Sequence, residues 1–216
     1  MRIESISLSG MLPNVFVNEQ IPASEVWRSE LVFRCGNFYR IEAASGGGKS
    51  SLCAYIFGNR TDYQGVLRFN DKDVREFKIS EWQNLRRSNL AYLPQELSLF
   101  PELSAWENIQ LKNGLTGYAS DRKIEDWLER IGISSRRDYP VGRMSIGQQQ
   151  RVAIIRSICQ PFDFILLDEP VSHLDAENNR IAAEIIMEEA QLLGAGIIST
   201  SVGNPLNLKE PKILAL

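Results

Sequence analysis

The stretch "AASGGGKSS", residues 43–51, follows the strand-like "FYRIEA" (38–43) and overlaps the helix-spaced "GKSSLCAYIFG" (48–58). Strand, glycine-rich turn and helix in that order govern how the rest of the chain is read. Gly46, Gly47 and Gly48 let successive backbone amides turn toward one anion, and the helix that follows adds its positive N-terminal end. The phosphate-loop pattern G-x-x-x-x-G-K-[ST] is met at Gly48, Lys49 and Ser50 and missed at its first position, which is Ala43. Alanine there adds one methyl group, which is costly only if φ is positive. The candidate phosphate contacts are Ala44, Ser45, Gly46, Gly47, Gly48, Lys49, Ser50 and Ser51. In such a loop Lys49 reaches the β- and γ-phosphates and the Ser50 hydroxyl binds Mg²⁺. The bland alternative is a glycine-rich turn before a helix.

Outward from this stretch, strand and helix patterns alternate. "RIESISL" (2–8) has strand periodicity, and "ELVFRCGNFYRIEA" (30–43) reads as strand, turn at Cys35-Gly36-Asn37, strand. "GVLRFN" (65–70) is a further strand followed by the turn "DKD", "EWQNLRRS" (81–88) a short helix and "LAYLPQ" (90–95) a strand stopped by Pro94. From Glu96 to Gln160 the texture becomes helical. "DRKIEDWLERIG" places Ile124, Leu128 and Ile131 on one face and closes at Gly132, and "SIGQQQRVAIIRSICQ" aligns Val152, Ile155 and Cys159. "FDFILLDEP" (162–170) is a near-continuous apolar run, the mark of a strand buried on both faces of a parallel sheet. A long helix ending at Gly194 and the strands "AGIISTS" and "PKILAL" follow. This alternation predicts an α/β layered sheet with a helix-rich lobe inserted into it.

The 216 residues suit one domain, and a formal net charge of −3 argues against a protein that coats nucleic acid. The start, "MRIESISLSG", lacks the apolar core of a secretory signal, and no apolar run approaches the ~20 residues needed to cross a bilayer. Cys35, Cys53 and Cys159 have no metal-ligand or redox spacing and read as reduced core thiols in a cytosolic protein.

Two further stretches carry chemistry. Asp168-Glu169 ends the buried strand at the place where α/β sheets bind ligands; Asp168 would hold Mg²⁺ through water and Glu169 would act as general base. A charged turn after a core strand is the alternative. In "MSIGQQQR" (144–151), Ser145 and Gln148 have capping-box spacing, which leaves Gly147 and the run of glutamines unexplained.

Taken together, "SGGGKSS", "LPQ" with Gln95, "MSIGQQQR", "ILLDEP" and "SHLD" (172–175) resemble, in order and spacing, the Walker A, Q-loop, signature, Walker B and D-loop motifs of the ATP-binding-cassette (ABC) ATPases. The chain's short length resembles the cassettes of lipoprotein-releasing, macrolide-export and cell-division systems. The resemblance implies a P-loop NTPase of ABC type: a mainly parallel central sheet flanked by helices, an antiparallel β region at the N-terminal end and an inserted helical lobe. One domain would comprise a core of 1–95 and 161–216 and a helical subdomain of about 96–160. The implied partners are a second cassette, this chain's own copy or another, and a separate transmembrane permease touched by "LSLFPELSAWENI" (97–109), with no nucleic acid. The implied location is cytoplasmic, at the inner face of the membrane through that permease. The implied cofactors are ATP and Mg²⁺. Each ATP would lie between one copy's phosphate loop and Ser145, Gly147 and Gln148 of the other, with Asp175 lining the seam. Gln95 would sense the γ-phosphate and metal beside Glu169 and Lys49, and Phe16 in "MLPNVFVN" would stack on adenine unless it is a core or hairpin side chain.

Two departures bear on activity. Ile146 replaces a signature glycine and would place a β-branched side chain at the seam. Ser201 stands where the family keeps a switch histidine, and the chain's single histidine, His173, lies in "SHLD" and reads as a solvated or seam residue. Loss of one γ-phosphate-stabilising group costs ~10²-fold in rate, so ATPase activity is expected to be weakened. The alternative function is an ATP-dependent dimerising regulator with little or no hydrolysis.

Overall fold

The alternating stretch near the start of the chain and the apolar run near residue 165 become strands of two different sheets. The computed structural model describes residues 1–19, 21 and 23–216. In chain order the elements are β1 (Ser5–Pro13), β2 (Glu30–Arg34), β3 (Phe38–Glu42), α1 (Lys49–Ile56), β4 (Tyr63–Phe69), β5 (Lys72–Asp73), α2 (Ile79–Ser88), β6 (Leu90–Leu93), α3 (Ala105–Asn113), α4 (Asp121–Arg130), α5 (Ile146–Ile158), β7 (Phe164–Asp168), α6 (Ala176–Leu193), β8 (Gly196–Ser201) and β9 (Lys212–Ala215). An antiparallel sheet has the order β2-β1-β4-β5, and a parallel sheet the order β6-β7-β8-β3-β9. The expected α/β class, with an N-terminal antiparallel region, is the observed one.

Strand β7 lies between β6 and β8 with all five residues buried. Its period-2 alternation divides it between two apolar clusters. Phe164 and Leu166 pack with Leu52 and Ile56 of α1, whereas Ile165 and Leu167 pack with residues of α5 and α6. Helices therefore cover both faces of the parallel sheet, which is why the sequence there is apolar without interruption. The buried side chains of α3 and α4, among them Ile109, Ile124, Trp127 and Leu128, belong to the same cluster as Ile165 and Leu167.

One local reading changes, at "DKD", and two others gain detail. The strands flanking Cys35-Gly36-Asn37 do not pair: β2 joins the antiparallel sheet and β3 the parallel one, with the Tyr39 hydroxyl accepting the Arg34 amide at 2.9 Å across the turn. In the "DKD" turn, Lys72 and Asp73 instead form the short β5, so the reversal falls at Asn70 and Asp71, with Asn70 at φ +54°. Within 97–109, α3 begins at Ala105. Ser104 caps it, its hydroxyl accepting the Glu107 amide at 3.2 Å while the Glu107 carboxylate accepts the Ser104 amide at 2.8 Å. The S-x-x-E spacing that signals such a start was present in "SAWE".

Cys53 and Cys159 are buried, and burial pushes both thiols up, Cys53 well above the ordinary range. Cys35 is only half-buried, and its thiol donates to the Ile3 carbonyl at 2.8 Å. No described helix is long and apolar enough to cross a membrane.

Candidate functional site

The phosphate-loop stretch connects the end of β3 to α1. Gly48 is the residue before the helix and has φ +93°; a Cβ there would stand 3.1 Å from both Phe16 and Trp27. Gly47 is tight for a different reason. A Cβ on it would lie 2.9 Å from the Ala43 methyl. Ala43 is not among the positive-φ residues, so the departure from the glycine pattern is accommodated: the methyl occupies space that Gly47 leaves open. The Trp27 indole donates to the Gly47 carbonyl at 3.1 Å and braces the loop from behind.

Lys49 is 5% exposed. Its ammonium donates to the carbonyls of Ala43 at 3.1 Å and Ala44 at 3.0 Å and lies 3.9 Å from a Glu169 carboxylate oxygen. The Gln95 amide, from the loop after β6, donates to the other Glu169 oxygen at 3.5 Å. Thus Lys49, Gln95 and Glu169, distant in sequence, meet at the C-terminal ends of parallel strands. Together with Ser45, Gly46, Gly48, Ser50 and Ser51 they line a cleft of about 240 Å³.

Asp168 is 1% exposed and sits opposite Thr200 in the β7–β8 register. The fully buried Thr200 hydroxyl donates to the Asp168 carboxylate at 2.7 Å and accepts the Glu169 amide at 3.2 Å. Glu169 itself has φ +51°. A non-glycine residue in that region costs about 1–2 kcal/mol, and it falls where the strand ends and the Glu169 carboxylate comes within 3.9 Å of the Lys49 ammonium. Thr200 was not singled out from the sequence, because its role depends on register with a strand 32 residues away. Thr200→Val keeps the shape and removes the hydroxyl. It is expected to cost about 1–3 kcal/mol in urea unfolding, with Thr200→Ser near the parent. A valine variant as stable as the parent would show that the hydroxyl braces nothing.

The glutamine-rich stretch is a separate surface. Ser145 caps α5: its hydroxyl accepts the Gln148 amide at 3.3 Å, and the Gln148 side chain accepts the Ser145 amide at 3.0 Å. The capping box and the exposed helix end coexist. Ser145 and Ile146 are exposed, and neither they nor Gly147 and Gln148 line the cleft at Lys49. Ile146, 49% exposed, instead borders a cleft with Gln95 and Leu97. The buried Gln150 ties this helix to the loop after β7: its amide donates to the Glu169 carbonyl at 3.2 Å and its oxygen accepts the His173 amide at 2.9 Å. Asp175 caps α6 by accepting the Asn178 amide at 2.8 Å, which holds its carboxyl below the usual carboxylate range.

Phe16 is half-buried and borders a cavity of about 250 Å³ with Ala44 to Gly47 and Trp27. Because the Trp27 ring is buried and bonded to the loop, Phe16 presents the more open aromatic face there. Ser201 is buried at the end of β8 and lines a different cleft with Glu42 and Ala43.

The donor set fits Mg²⁺, a hard cation that takes one or two carboxylates, phosphate oxygens and water. Ser50 and Gln95 rim the Lys49 cleft with oxygen ligands, and Asp168 ends β7 one residue before Glu169. Among the described residues, no group of three or more His, Cys, Asp or Glu side chains forms a self-sufficient metal cage.

A family described as ABC transporter matches residues 28–172. The ABC transporter ATP-binding protein YtrE of Bacillus subtilis (strain 168) is 33% identical over 156 residues, which cover 71% of this chain and 68% of that protein. The lipoprotein-releasing system ATP-binding protein LolD of Idiomarina loihiensis is 28% identical over 172 residues, 78% of this chain and 75% of that protein. The dimeric structure of MJ0796, described as a bacterial ABC transporter cassette, superposes with a TM-score of 0.76 at 23% identity, covering 91% of this chain and 87% of that one, and so shares its fold. The family match runs from Arg28 through the phosphate loop and the Asp168-Glu169 strand end to Ser172, and this chain belongs to the ABC transporter family as an ATP-binding cassette.

Proposed function

We propose that this chain is the ATP-binding and ATP-hydrolysing subunit of an ABC transporter, acting as a head-to-tail homodimer that drives a separate membrane permease. One observation carries the reading. The phosphate loop, Gln95 and Glu169 share one cleft, while the exposed, capped end of α5 lies outside it. Each copy thus offers half of a site. A second copy supplies Ser145, the Gly147 amide and Gln148 from a helix N-terminus, where a triphosphate's negative charge is favoured.

In this reading the amides of Ala44 to Gly48, with Ser51 and Lys49, hold the phosphates, and Phe16 stacks on the base. Ser50, Gln95 and, through water, Asp168 would hold Mg²⁺, which supplies charge neutralisation at the phosphates. Glu169 takes the proton of the attacking water. The core is 1–95 with 161–216, and the helical lobe of about 96–160 carries the permease contact. The chain sits at the inner face of the membrane through that permease, and nucleic acid is not a partner. A second reading, an ATP-dependent dimerising regulator with little hydrolysis, is favoured by Ser201, which leaves no imidazole at the end of β8.

Light scattering with a slowly hydrolysed ATP analogue tests the dimer. The mass is expected to double, and Ser145→Arg, which puts a bulky charge on the exposed end of α5, is expected to bind the analogue and stay single. A parent chain that binds the analogue without any change of mass removes the head-to-tail site. Co-purification with a membrane protein tests the transporter assignment.

A further inference from the structure

We propose that His173, delivered from the second copy, supplies the imidazole that this chain lacks at position 201. The inference rests on the head-to-tail reading above. Its first support is a built network around an exposed ring. His173 is exposed, yet its amide donates to the Gln150 side-chain oxygen at 2.9 Å and its Nδ1 lies 3.0 Å from the Ser172 hydroxyl. Because the Gln150 oxygen accepts that amide, its nitrogen is the donor toward the Ser172 oxygen at 3.3 Å. The Ser172 proton is then free to donate to Nδ1. With that proton given to Nδ1, the neutral ring carries its own proton on Nε2.

The second support is position. A Cβ on Gly147 would meet the His173 carbonyl at 3.0 Å, so the backbone at residue 173 packs against the N-terminus of α5. Wherever that helix end approaches a triphosphate, His173 approaches with it. In its own chain, His173 lines neither the Lys49 cleft nor the cleft at Ser201.

The third support is a receiving space. Ser201 lines a cleft of about 490 Å³ with Glu42, Ala43, Gly203 and Pro205. Ala43 is also the residue whose carbonyl accepts the Lys49 ammonium at 3.1 Å, so this cleft adjoins the phosphate loop. An imidazole entering it together with the partner's α5 end reaches the terminal phosphate from the partner's side. There Nε2–H donates to a γ-phosphoryl oxygen. Water forms the new P–O bond as the bond to ADP breaks, and Glu169 takes the water's proton. The histidine forms no covalent bond and keeps its proton.

Three measurements with Mg-ATP test this. His173→Ala is expected to slow phosphate cleavage about 10²-fold, and His173→Gln, which retains an N–H donor, to recover part of that loss. In an acid-quenched single turnover, a mixture of His173→Ala and Glu169→Gln chains is expected to give a burst of cleaved phosphate at the parent's rate, absent from either variant alone. Only a dimer that joins Glu169 of one chain to His173 of the other can produce that burst. A His173→Ala chain that turns over like the parent overturns the proposal. So does a mixture without a burst, which would place the group in the chain's own site. A Glu169→Gln chain that binds ATP and never dimerises sinks the head-to-tail reading and takes this proposal with it. A Glu169→Gln chain that dimerises beside a fully active His173→Ala sinks this proposal alone.

Discussion

Glu169→Gln is expected to lower steady-state ATP hydrolysis by about 10²–10³-fold while ATP drives the chain into a long-lived dimer. The substitution preserves size and leaves an oxygen to accept from the Gln95 amide, which now lies 3.5 Å from the carboxylate. It cannot accept a proton from water. It also removes a negative charge 3.9 Å from the Lys49 ammonium, and so removes repulsion toward a bound triphosphate. Both changes act in one direction: the nucleotide stays and the chemistry slows. The backbone at residue 169 should be little altered, because its φ of +51° is supported by the Thr200 hydroxyl through the amide and by Gln150 through the carbonyl. Phosphate release and light scattering on the same sample check both halves. Equal hydrolysis in variant and parent would mean that Glu169 is not the base, and would favour the regulator.

Lys49→Ala is expected to weaken ATP binding by at least about 10²-fold, the loss of two charge-assisted hydrogen bonds at roughly 1.5–3 kcal/mol each. The ammonium is poised for that task. It is buried, held by two carbonyls of its own loop and near one carboxylate, and it borders the cleft formed by the loop glycines. A triphosphate offers oxygens of full negative charge in exchange for those neutral carbonyls, so the exchange favours binding. Calorimetry with Mg-ATP, on a variant shown to be folded by circular dichroism, reads the effect. If the variant gave the parent's heat and affinity, the loop would not be a phosphate site, and the assignment of Ser50 and Gln95 to the metal would fall with it.

How far the site could be read before its structure depends on the distance over which each interaction acts. Ser145 and Gln148 are three residues apart, and their reciprocal cap follows from helix geometry. The order Gly46-Gly47-Gly48-Lys49 likewise dictates a turn that only glycines adopt easily, with Gly48 at φ +93°. The same locality makes the start of α3 legible in "SAWE", whose Ser104 and Glu107 cap each other. Whether Ala43 fits is decided only by the tertiary structure, because what matters is its methyl packing where Gly47 has none. Thr200 could not be found from the sequence at all, since its hydroxyl meets Asp168 only through the pairing of β7 with β8.

The amino-acid order by itself determined which segments alternate as strands and helices, where the phosphate loop turns, and which carboxylates end a buried strand, because these depend on dihedral preference and apolar periodicity within a few residues. Only the tertiary structure decided that β2 and β3 part into separate sheets, that Gln95 meets Glu169, and that Gln150 and Ser172 fix His173 beside Gly147. Those contacts join residues far apart along the chain, and their geometry exists only after the sheet has set its register and α5 has packed against it.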